Sequence, residues 1–325
     1  MALILGVDGG GSKTLLALAT RDAEIAWVES GGGTDPAADP DWGLRLRDMM
    51  VSAGTPKLQI AGAVFGLSSF GEIVAQSDHQ KRVVAALAGD DALVENDVRV
   101  AFDGALAGAG GVLLLAGTGS MAWASAGGPN ARQVRVGGWG EAFGDEGSAF
   151  WIGREALGLA TRAFDGRSDA LPFATALVDN LDLGPDDILP WAASLENRRA
   201  GFAALARTVS ALCETGDPDA ERLIRAAAAH LADHAGAAWR MVGETSPLRW
   251  SYAGGVFGSP TFFAAVSAQL GVAPVPPRLP PVGGALLRAA QCAGWPVDDA
   301  WIDRLAAALA NHPLLLRNRS QREMP

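Results

Sequence analysis

The sequence predicts an α/β protein with two domains. The chain has 325 residues, enough for two domains of ordinary size. Its first half alternates short apolar segments typical of strands with longer segments typical of helices. A strand–glycine turn–strand pattern occurs at Asp8 and again near Gly117, which indicates two related halves.

The first half supplies the elements of one domain. Apolar stretches predict strands over residues 3–7, 15–20 and 23–28, and the close glycine turn between the first two predicts an antiparallel hairpin. Helices are predicted over 41–51 and 73–87, and strands over 58–65 and 98–102. The last of these strands leads into Asp103, so this carboxylate is expected at a strand end, before a small-residue helix over 104–108.

The second half begins with strands and then becomes mostly helical. Strands are predicted over 112–116, 121–125, 133–136 and 251–253, and helices over 149–157, 261–270, 284–292 and 300–310. The clearest helix is 218–242, because Asp217 can cap it, Pro218 fits its first turn and Glu221 lies where negative charge is favourable. The segment 274–281 is proline-rich, and the polar tail after residue 316 is expected to fray.

Composition narrows the classes of partner. A net charge of −10 and a pI near 4.9 argue against a nucleic-acid surface, so small molecules are the expected ligands, anionic ones included. No apolar run has the length of a membrane span, and the first residues lack the basic region of a signal peptide, so we expect a cytoplasmic protein. Cys213 and Cys292 are far apart and form no CxxC pattern, which argues against a cysteine-ligated cluster.

The first glycine-rich turn resembles a P-loop but departs from that pattern. Ser12 separates Gly11 from Lys13, and the segment leads into a strand instead of a helix. The pattern instead indicates a hairpin turn whose amides bind phosphate, with Asp8 holding a metal ion through water. A plain turn with an incidental aspartate remains the alternative. The phosphate-binding candidates are Gly9, Gly10, Gly11, Ser12, Lys13 and Thr14.

Two further turns follow predicted strands. Small residues with hydroxyl groups can bring amides and hydroxyls close to phosphate oxygens, although an ordinary tight turn would look the same. The candidates there are Gly117, Thr118, Gly119 and Ser120. Gly254 and Gly255 end a later strand, where a flat ring could lie on the backbone, and a simple strand-to-helix turn is the alternative.

Carboxylates supply the candidates for proton transfer and for sugar binding. Asp103 could accept a proton from a substrate hydroxyl, although an aspartate at a helix start also serves as a cap. Residues 137–148 contain five glycines and the pair Asp145 and Glu146, which is typical of a loop that closely approaches a ligand.

His230 and His234 share a helix face, but no HExxH pattern accompanies them, so we interpret them as ordinary helix histidines.

The order of these motifs is more specific than any one of them. DGGGSKT, a mid-chain aspartate, GTGS, GGWGEAFGDEGSAFWIG and AGGVF together resemble the N-acetylglucosamine kinase and glucosamine kinase branch of the BadF/BadG/BcrA/BcrD-type ATPase family, within the actin-like ATPase superfamily. The resemblance covers roughly residues 3–290. It implies two RNase H-like domains, 1–106 and 107–325, with an interdomain cleft, and a last helix at about 298–312 that could pack back on the N-terminal domain.

The resemblance also implies roles for individual residues. The turn from Gly9 to Thr14 would be the first phosphate segment, Gly117 to Ser120 the second, and Gly254 with Gly255 the adenosine segment. Asp103 would be the catalytic base, and Asp8 would hold Mg²⁺ through water. The sugar contacts would come from Asp35, Ser68, Ser69, Asp103, Gly138, Asp145 and Glu146.

Asp35 is a departure from the family pattern. Family members often carry asparagine at this position, and a carboxylate there would favour a substrate with a free amine, as in glucosamine. We therefore expect ATP- and Mg²⁺-dependent transfer of the γ-phosphate to the 6-hydroxyl of N-acetylglucosamine or glucosamine, by a monomer or homodimer. N-Acetylmuramic acid and unmodified hexoses remain open as acceptors.

Two other functions share this fold. One is the activator ATPase of 2-hydroxyacyl-CoA dehydratases, which uses cysteines for an iron–sulfur cluster, and neither Cys213 nor Cys292 lies in a matching motif. The other is a non-catalytic nucleotide-binding regulator. The presence of Asp8, Asp103 and Asp145 argues against it.

Overall fold

The computed structural model describes residues 2–11, 13–37, 39–55, 59–128, 131–244 and 246–315. The chain divides into two compact units. The first unit comprises Met1–Gly110, Gly127–Ala131 and Pro276–Pro325, and the second comprises Gly111–Ala126 and Arg132–Val275.

The first unit is built on a five-stranded mixed sheet with the order β3-β2-β1-β4-β5. Its central strand pairs antiparallel with β2 and parallel with β4, and β5 extends the parallel part. Alternate residues of the central strand enter different core clusters, Ile4 on one face and Leu5 on the other, so the sheet is buried on both faces. The strands are β1 (Leu3–Gly9), β2 (Lys13–Thr20), β3 (Ile25–Gly32), β4 (Ile60–Leu67) and β5 (Leu93–Asn96).

Helices cover both faces of this sheet. Trp42 of α1 (Trp42–Ser52) and Val84 of α2 (Val74–Ala88) belong to the cluster on one face. The other face packs against α3 (Asp97–Leu106), α10 (Pro281–Cys292) and α11 (Asp299–Ala310). Helices α3 and α10 cross closely, because a Cβ at Gly284 would lie 1.9 Å from the Val100 carbonyl oxygen.

This packing explains why Pro276–Pro325 groups with the first unit. Helix α10 lies against both β1 and β4, and the Trp301 indole of α11 donates to the Arg21 carbonyl oxygen at 2.9 Å. The sequence-based domains, 1–106 and 107–325, remain a proposal that differs from the compact units chiefly in this C-terminal segment.

The second unit repeats the strand order of the first. Its described strands form a four-stranded sheet with the order β8-β7-β6-β9, which corresponds to β3-β2-β1-β4. The pair β6–β9 is parallel and β7–β8 is antiparallel, so this sheet is also mixed. The strands are β6 (Ala109–Ala116), β7 (Ser120–Gly127), β8 (Gln133–Gly137) and β9 (Trp250–Ala253). This repetition agrees with the prediction of two related halves.

The helices of the second unit bury one continuous apolar cluster with that sheet. They are α4 (Ala149–Phe164), α5 (Leu171–Asp179), α6 (Ile188–Ser194), α7 (Arg198–Glu214), α8 (Pro218–Met241) and α9 (Pro260–Leu270). The predicted cap of α8 is confirmed, since the Asp217 side chain accepts from the Asp219 and Ala220 amides. None of the helices in the described part of the chain is long and apolar enough to cross a membrane.

One predicted strand is wrong, and the error affects the site. Residues 98–102 lie within α3, and the strand before them is β5, which ends at Asn96. The Asn96 side chain caps the helix by accepting from the Val98 amide at 2.9 Å. Because α3 is buried from Val98 to Leu106, its apolar run looks like a buried strand. Residue 58 of another predicted strand, and the tail after 316, lie outside the described residues.

Candidate functional site

The first glycine turn joins β1 to β2 and is anchored to the segment after β3. The Gly10 amide donates to the Lys13 carbonyl at 3.0 Å, and the Thr34 amide donates to the Gly10 carbonyl at 3.1 Å. The hydroxyls of Thr14 and Thr34 are hydrogen-bonded at 3.1 Å. Gly9 leaves room for this contact, because a Cβ there would lie 2.3 Å from Thr34 Oγ1. The turn is therefore held against the segment that carries Asp35.

Asp8 and Lys13 line one cavity of about 530 Å³ in the first unit. A single half-buried carboxylate suits Mg²⁺, which keeps several waters and usually takes its remaining ligands from phosphates. The described residues contain no group of three or more His, Cys, Asp or Glu side chains that could form a metal cage. The water-mediated role of Asp8 stays a prediction. Ser12 of the same turn lies outside the described residues.

Two of the predicted sugar residues of the first unit, Ser68 and Ser69, lie in the loop after β4. The Ser68 amide donates to the Gly9 carbonyl at 2.8 Å, which places the loop after β4 beside the first turn. Ser69 has φ +61°, and the Asn96 side-chain amide donates to the Phe70 carbonyl at 2.9 Å. One asparagine therefore fixes both the start of α3 and the loop that carries Ser68 and Ser69.

Asp97, which the sequence reasoning missed, is the first residue of α3. Burial raises the pKa of its carboxyl from 3.8 to about 6, opposed by the Val98 amide, and the carboxylates of Glu72 and Asp35 raise it further. A carboxylate with this pKa is mostly ionised at pH 7 yet basic enough to take a proton. The signal was present in the sequence, since Asn96 and Asp97 precede the apolar run as a helix cap does.

Asp103 does not lie at a strand end. It is inside α3 and only 2% exposed, and it accepts from Arg99 Nε at 2.8 Å. Arg288 Nε of α10 lies 3.5 Å from the same oxygen, and Arg288 also contacts Glu95 at 3.3 Å. Burial raises the pKa of Asp103, and the two arginines oppose that shift. Its carboxylate is thus committed to a buried ion-pair network, which corrects the predicted placement.

In the second unit, the turn after β6 and the glycines after β9 are neighbours. Leu115 pairs with Ala253, so the carboxyl ends of the two parallel strands lie side by side. Gly254 has φ +101°, and a Cβ there would lie 2.2 Å from the Ala116 carbonyl oxygen. Ligands of open α/β sheets bind at such strand ends. Among the described residues, and apart from the glycine's own chain neighbours, no heavy atom lies within 4 Å of the place where a Cβ at Gly117 or Gly255 would stand.

The loop of residues 137–148, the acidic loop, is hydrogen-bonded to the turn after β6. The Gly117 amide donates to the Gly119 carbonyl at 2.9 Å, and Thr118 is exposed. The Ser120 amide donates to Asp145 Oδ1 at 3.3 Å, and the Ser120 hydroxyl donates to the Glu146 carbonyl at 2.7 Å. The structure therefore brings the second phosphate candidate and the Asp145 carboxylate together.

Glu146 and Gly138 occupy different parts of this loop. Glu146 Oε2 lies 3.8 Å from His234 Nε2. Burial lowers the pKa of His234, so the imidazole is largely neutral at pH 7 and the contact is a weak one. Ser148, not Glu146, caps α4 through the Trp151 amide. Gly138 has φ +70°, a conformation that glycine adopts readily.

Comparison with known proteins identifies the family. Residues 5–289 match the BadF/BadG/BcrA/BcrD ATPase family. Over 238 residues the chain is 26% identical to the N-acetylmuramic acid/N-acetylglucosamine kinase of Clostridium acetobutylicum, covering 71% of this chain and 77% of that protein.

Solved structures share the fold. A proposed N-acetylglucosamine kinase from Chromobacterium violaceum is 26% identical, with a TM-score of 0.67 over 88% of this chain and 98% of that one. A ROK family glucokinase from Streptomyces griseus, in complex with glucose and AMPPNP, is 17% identical, with a TM-score of 0.51 over 89% of this chain and 98% of that one. The fold is thus that of actin-like sugar kinases, and the chain belongs to the BadF/BadG/BcrA/BcrD ATPase family.

Proposed function

We propose that this protein is an ATP-dependent amino-sugar kinase, which transfers the γ-phosphoryl group of ATP to the 6-hydroxyl of N-acetylglucosamine or glucosamine. Membership of an ATPase family and the names of the similar proteins support the reaction class. The observation that carries the proposal is Asp97, a carboxylate with a pKa of about 6 at the start of α3, close to further acidic side chains. The protein would act in the cytoplasm as a monomer or homodimer.

Asp97 replaces Asp103 in the proposed mechanism. The ionised Asp97 carboxylate would accept the proton of the sugar hydroxyl as the hydroxyl oxygen bonds to the γ-phosphorus. The bond between that phosphorus and the bridging oxygen of ADP breaks, so the products are the sugar phosphate and ADP. Asp103 is less suited to this role, because it is only 2% exposed and is paired with Arg99 and Arg288.

The glycine turns would hold ATP. Amides of the Gly9–Thr14 and Gly117–Ser120 segments would donate to phosphate oxygens, and Lys13 would add positive charge. The glycines Gly254 and Gly255 would support adenosine, with the open space at Gly255. Asp8 would hold Mg²⁺ through water, and that ion, when bound, neutralises phosphate charge.

Polar groups of the loop 137–148 and of the loop after β4 would bind the sugar. Asp145 would accept hydrogen bonds from sugar hydroxyls, with Gly138 and Glu146 in the same loop, while Ser68 and Ser69 line the end of β4. Asp35 acts electrostatically on Asp97, which supports its proximity to the reacting hydroxyl. A carboxylate at that position would attract the ammonium group of glucosamine, so we propose that a free amine is favoured over an N-acetyl group.

A coupled ADP-release assay over a panel of sugars tests the proposal. We expect release to be stimulated by glucosamine and N-acetylglucosamine and to require a divalent cation, with smaller responses to glucose and N-acetylmuramic acid. ATP turnover without any stimulation by sugar would contradict it.

Two measurements separate the alternatives. An activator ATPase would carry an iron–sulfur cluster, so a colourless anaerobic preparation without iron would exclude that function. A non-catalytic regulator would bind ATP and sugar in calorimetry yet form no sugar phosphate.

A further inference from the structure

Arg199, at the start of α7, joins two carboxylates of the acidic loop. Its Nη2 donates to Asp145 Oδ2 at 2.6 Å, and its Nε lies 2.9 Å from Glu141 Oε2 as an ion pair. The Asp145 side chain is 3% exposed, whereas that of Arg199 is 38% exposed. The buried carboxylate of this loop is therefore paired with an arginine from helix α7, and Glu141 also contacts that arginine.

Two donors set the orientation of the Asp145 carboxylate. Asp145 has φ +58°, a left-handed conformation that few residues other than glycine adopt. Its two oxygens are fixed separately, since Oδ1 accepts from the Ser120 amide and Oδ2 accepts from Arg199. The rotation of the carboxylate plane therefore depends on both donors.

Gly119 shows how tightly the group is packed. A Cβ at Gly119 would lie 2.6 Å from Arg199 Nη2 and 2.8 Å from Asp145 Oδ1. The guanidinium occupies the space that a side chain would need, so the turn, the carboxylate and the arginine form one packed group in the second unit.

We infer that Arg199 is the positioning residue for Asp145 in sugar binding, an inference that rests on the proposed function. An ionised carboxylate has about four acceptor sites, and the contacts described here use one on each oxygen. By holding the plane of the group, Arg199 leaves the remaining acceptor sites in fixed directions for sugar hydroxyls. Its charge also offsets the negative charge of the buried carboxylate when no sugar is bound.

The test is the kinetics of Arg199→Gln, with Arg198→Gln as the matched control on the neighbouring exposed arginine. We expect the KM for the amino sugar to rise about tenfold, equivalent to about 1.4 kcal/mol, while kcat and the KM for ATP change less than about twofold. Arg199→Lys keeps the charge without the planar fork and should recover part of the loss. Arg198→Gln should match the wild type.

A double-mutant cycle distinguishes positioning from a general structural role. If Arg199 acts through Asp145, Arg199→Gln should have little further effect on the sugar KM in the Asp145→Asn background. Additive effects, or an unchanged sugar KM in Arg199→Gln, would overturn the inference while leaving the kinase proposal intact. A wild-type protein that neither phosphorylates nor binds hexosamines would overturn both.

Discussion

The two carboxylates of helix α3 have opposite surroundings. Asp97 begins the helix, half-buried, where burial and the carboxylates of Glu72 and Asp35 together raise its pKa to about 6. Asp103 lies six residues later, fully buried between the guanidinium groups of Arg99 and Arg288. Burial raises the pKa of both carboxyls, but neighbouring carboxylates add to the shift at Asp97, whereas two arginines oppose it at Asp103.

Under the proposed function, this difference distinguishes the proton acceptor from a carboxylate with a structural role. A carboxylate held near like charges costs folding energy and gains basicity, which is typical of functional sites. In Asp103 one carboxylate oxygen is paired with two arginines, and this pairing ties α3 to α10. Residue type and position in the sequence do not distinguish the two cases, but their neighbours do.

The largest expected effect on stability comes from Asp103→Asn. This change leaves Arg99 and Arg288 buried with less negative charge around them, and breaking a buried pair of this kind costs about 3 kcal/mol. Urea unfolding at pH 7.5 should show the loss as a lower midpoint. A midpoint equal to that of the wild type would mean that the network contributes little to folding.

Asp97→Asn should change stability in the other direction. Because the pKa of Asp97 is raised in the folded state, the wild type loses stability as pH rises from about 4 to about 6, and at pH 7.5 the ionised group carries the full cost. We expect the variant to gain about 2 kcal/mol at pH 7.5 and less at pH 5. A loss of stability at pH 7.5 would contradict the proposed environment of Asp97.

The pH profile of kcat/KM gives a third test of the comparison. Protonation of Asp97 removes the proton acceptor, so activity should fall about tenfold per pH unit below about pH 6. The Asp103→Asn variant should keep this fall in activity at low pH. A wild-type profile that is flat down to pH 5 would exclude Asp97 as the titrating group.

The smallest effect is expected from Asp35→Asn. Removing this carboxylate should move the acid limb to lower pH by a few tenths of a unit, because one charge that raises the pKa of Asp97 is lost. The same variant should lower the kcat/KM ratio of glucosamine over N-acetylglucosamine. An unchanged ratio would remove the role proposed for Asp35 in recognising a free amine.

The motifs of this sequence predict the family and much of the site. The hairpin turn at Gly9, the turn at Gly117 and the glycines at Gly254 all lie at strand ends, as their small residues after apolar runs indicate. The sequence does not reveal the ion pair between Arg199 and Asp145, because it joins residues 54 positions apart. It also places Asp103 at a strand end and overlooks Asp97 at the start of α3, since a fully buried helix and a buried strand share the same apolar run.

The most direct test of the proposed role of Asp97 is a side-by-side measurement of kcat in Asp97→Asn and Asp103→Asn. The assay would use saturating ATP and amino sugar at pH 7.5, at a temperature where both variants are folded. We expect Asp97→Asn to lose about 10³-fold in kcat and Asp103→Asn to stay within about threefold of the wild type. The reverse pattern, with Asp103→Asn inactive and Asp97→Asn active, would contradict the assignment of Asp97 as the proton acceptor.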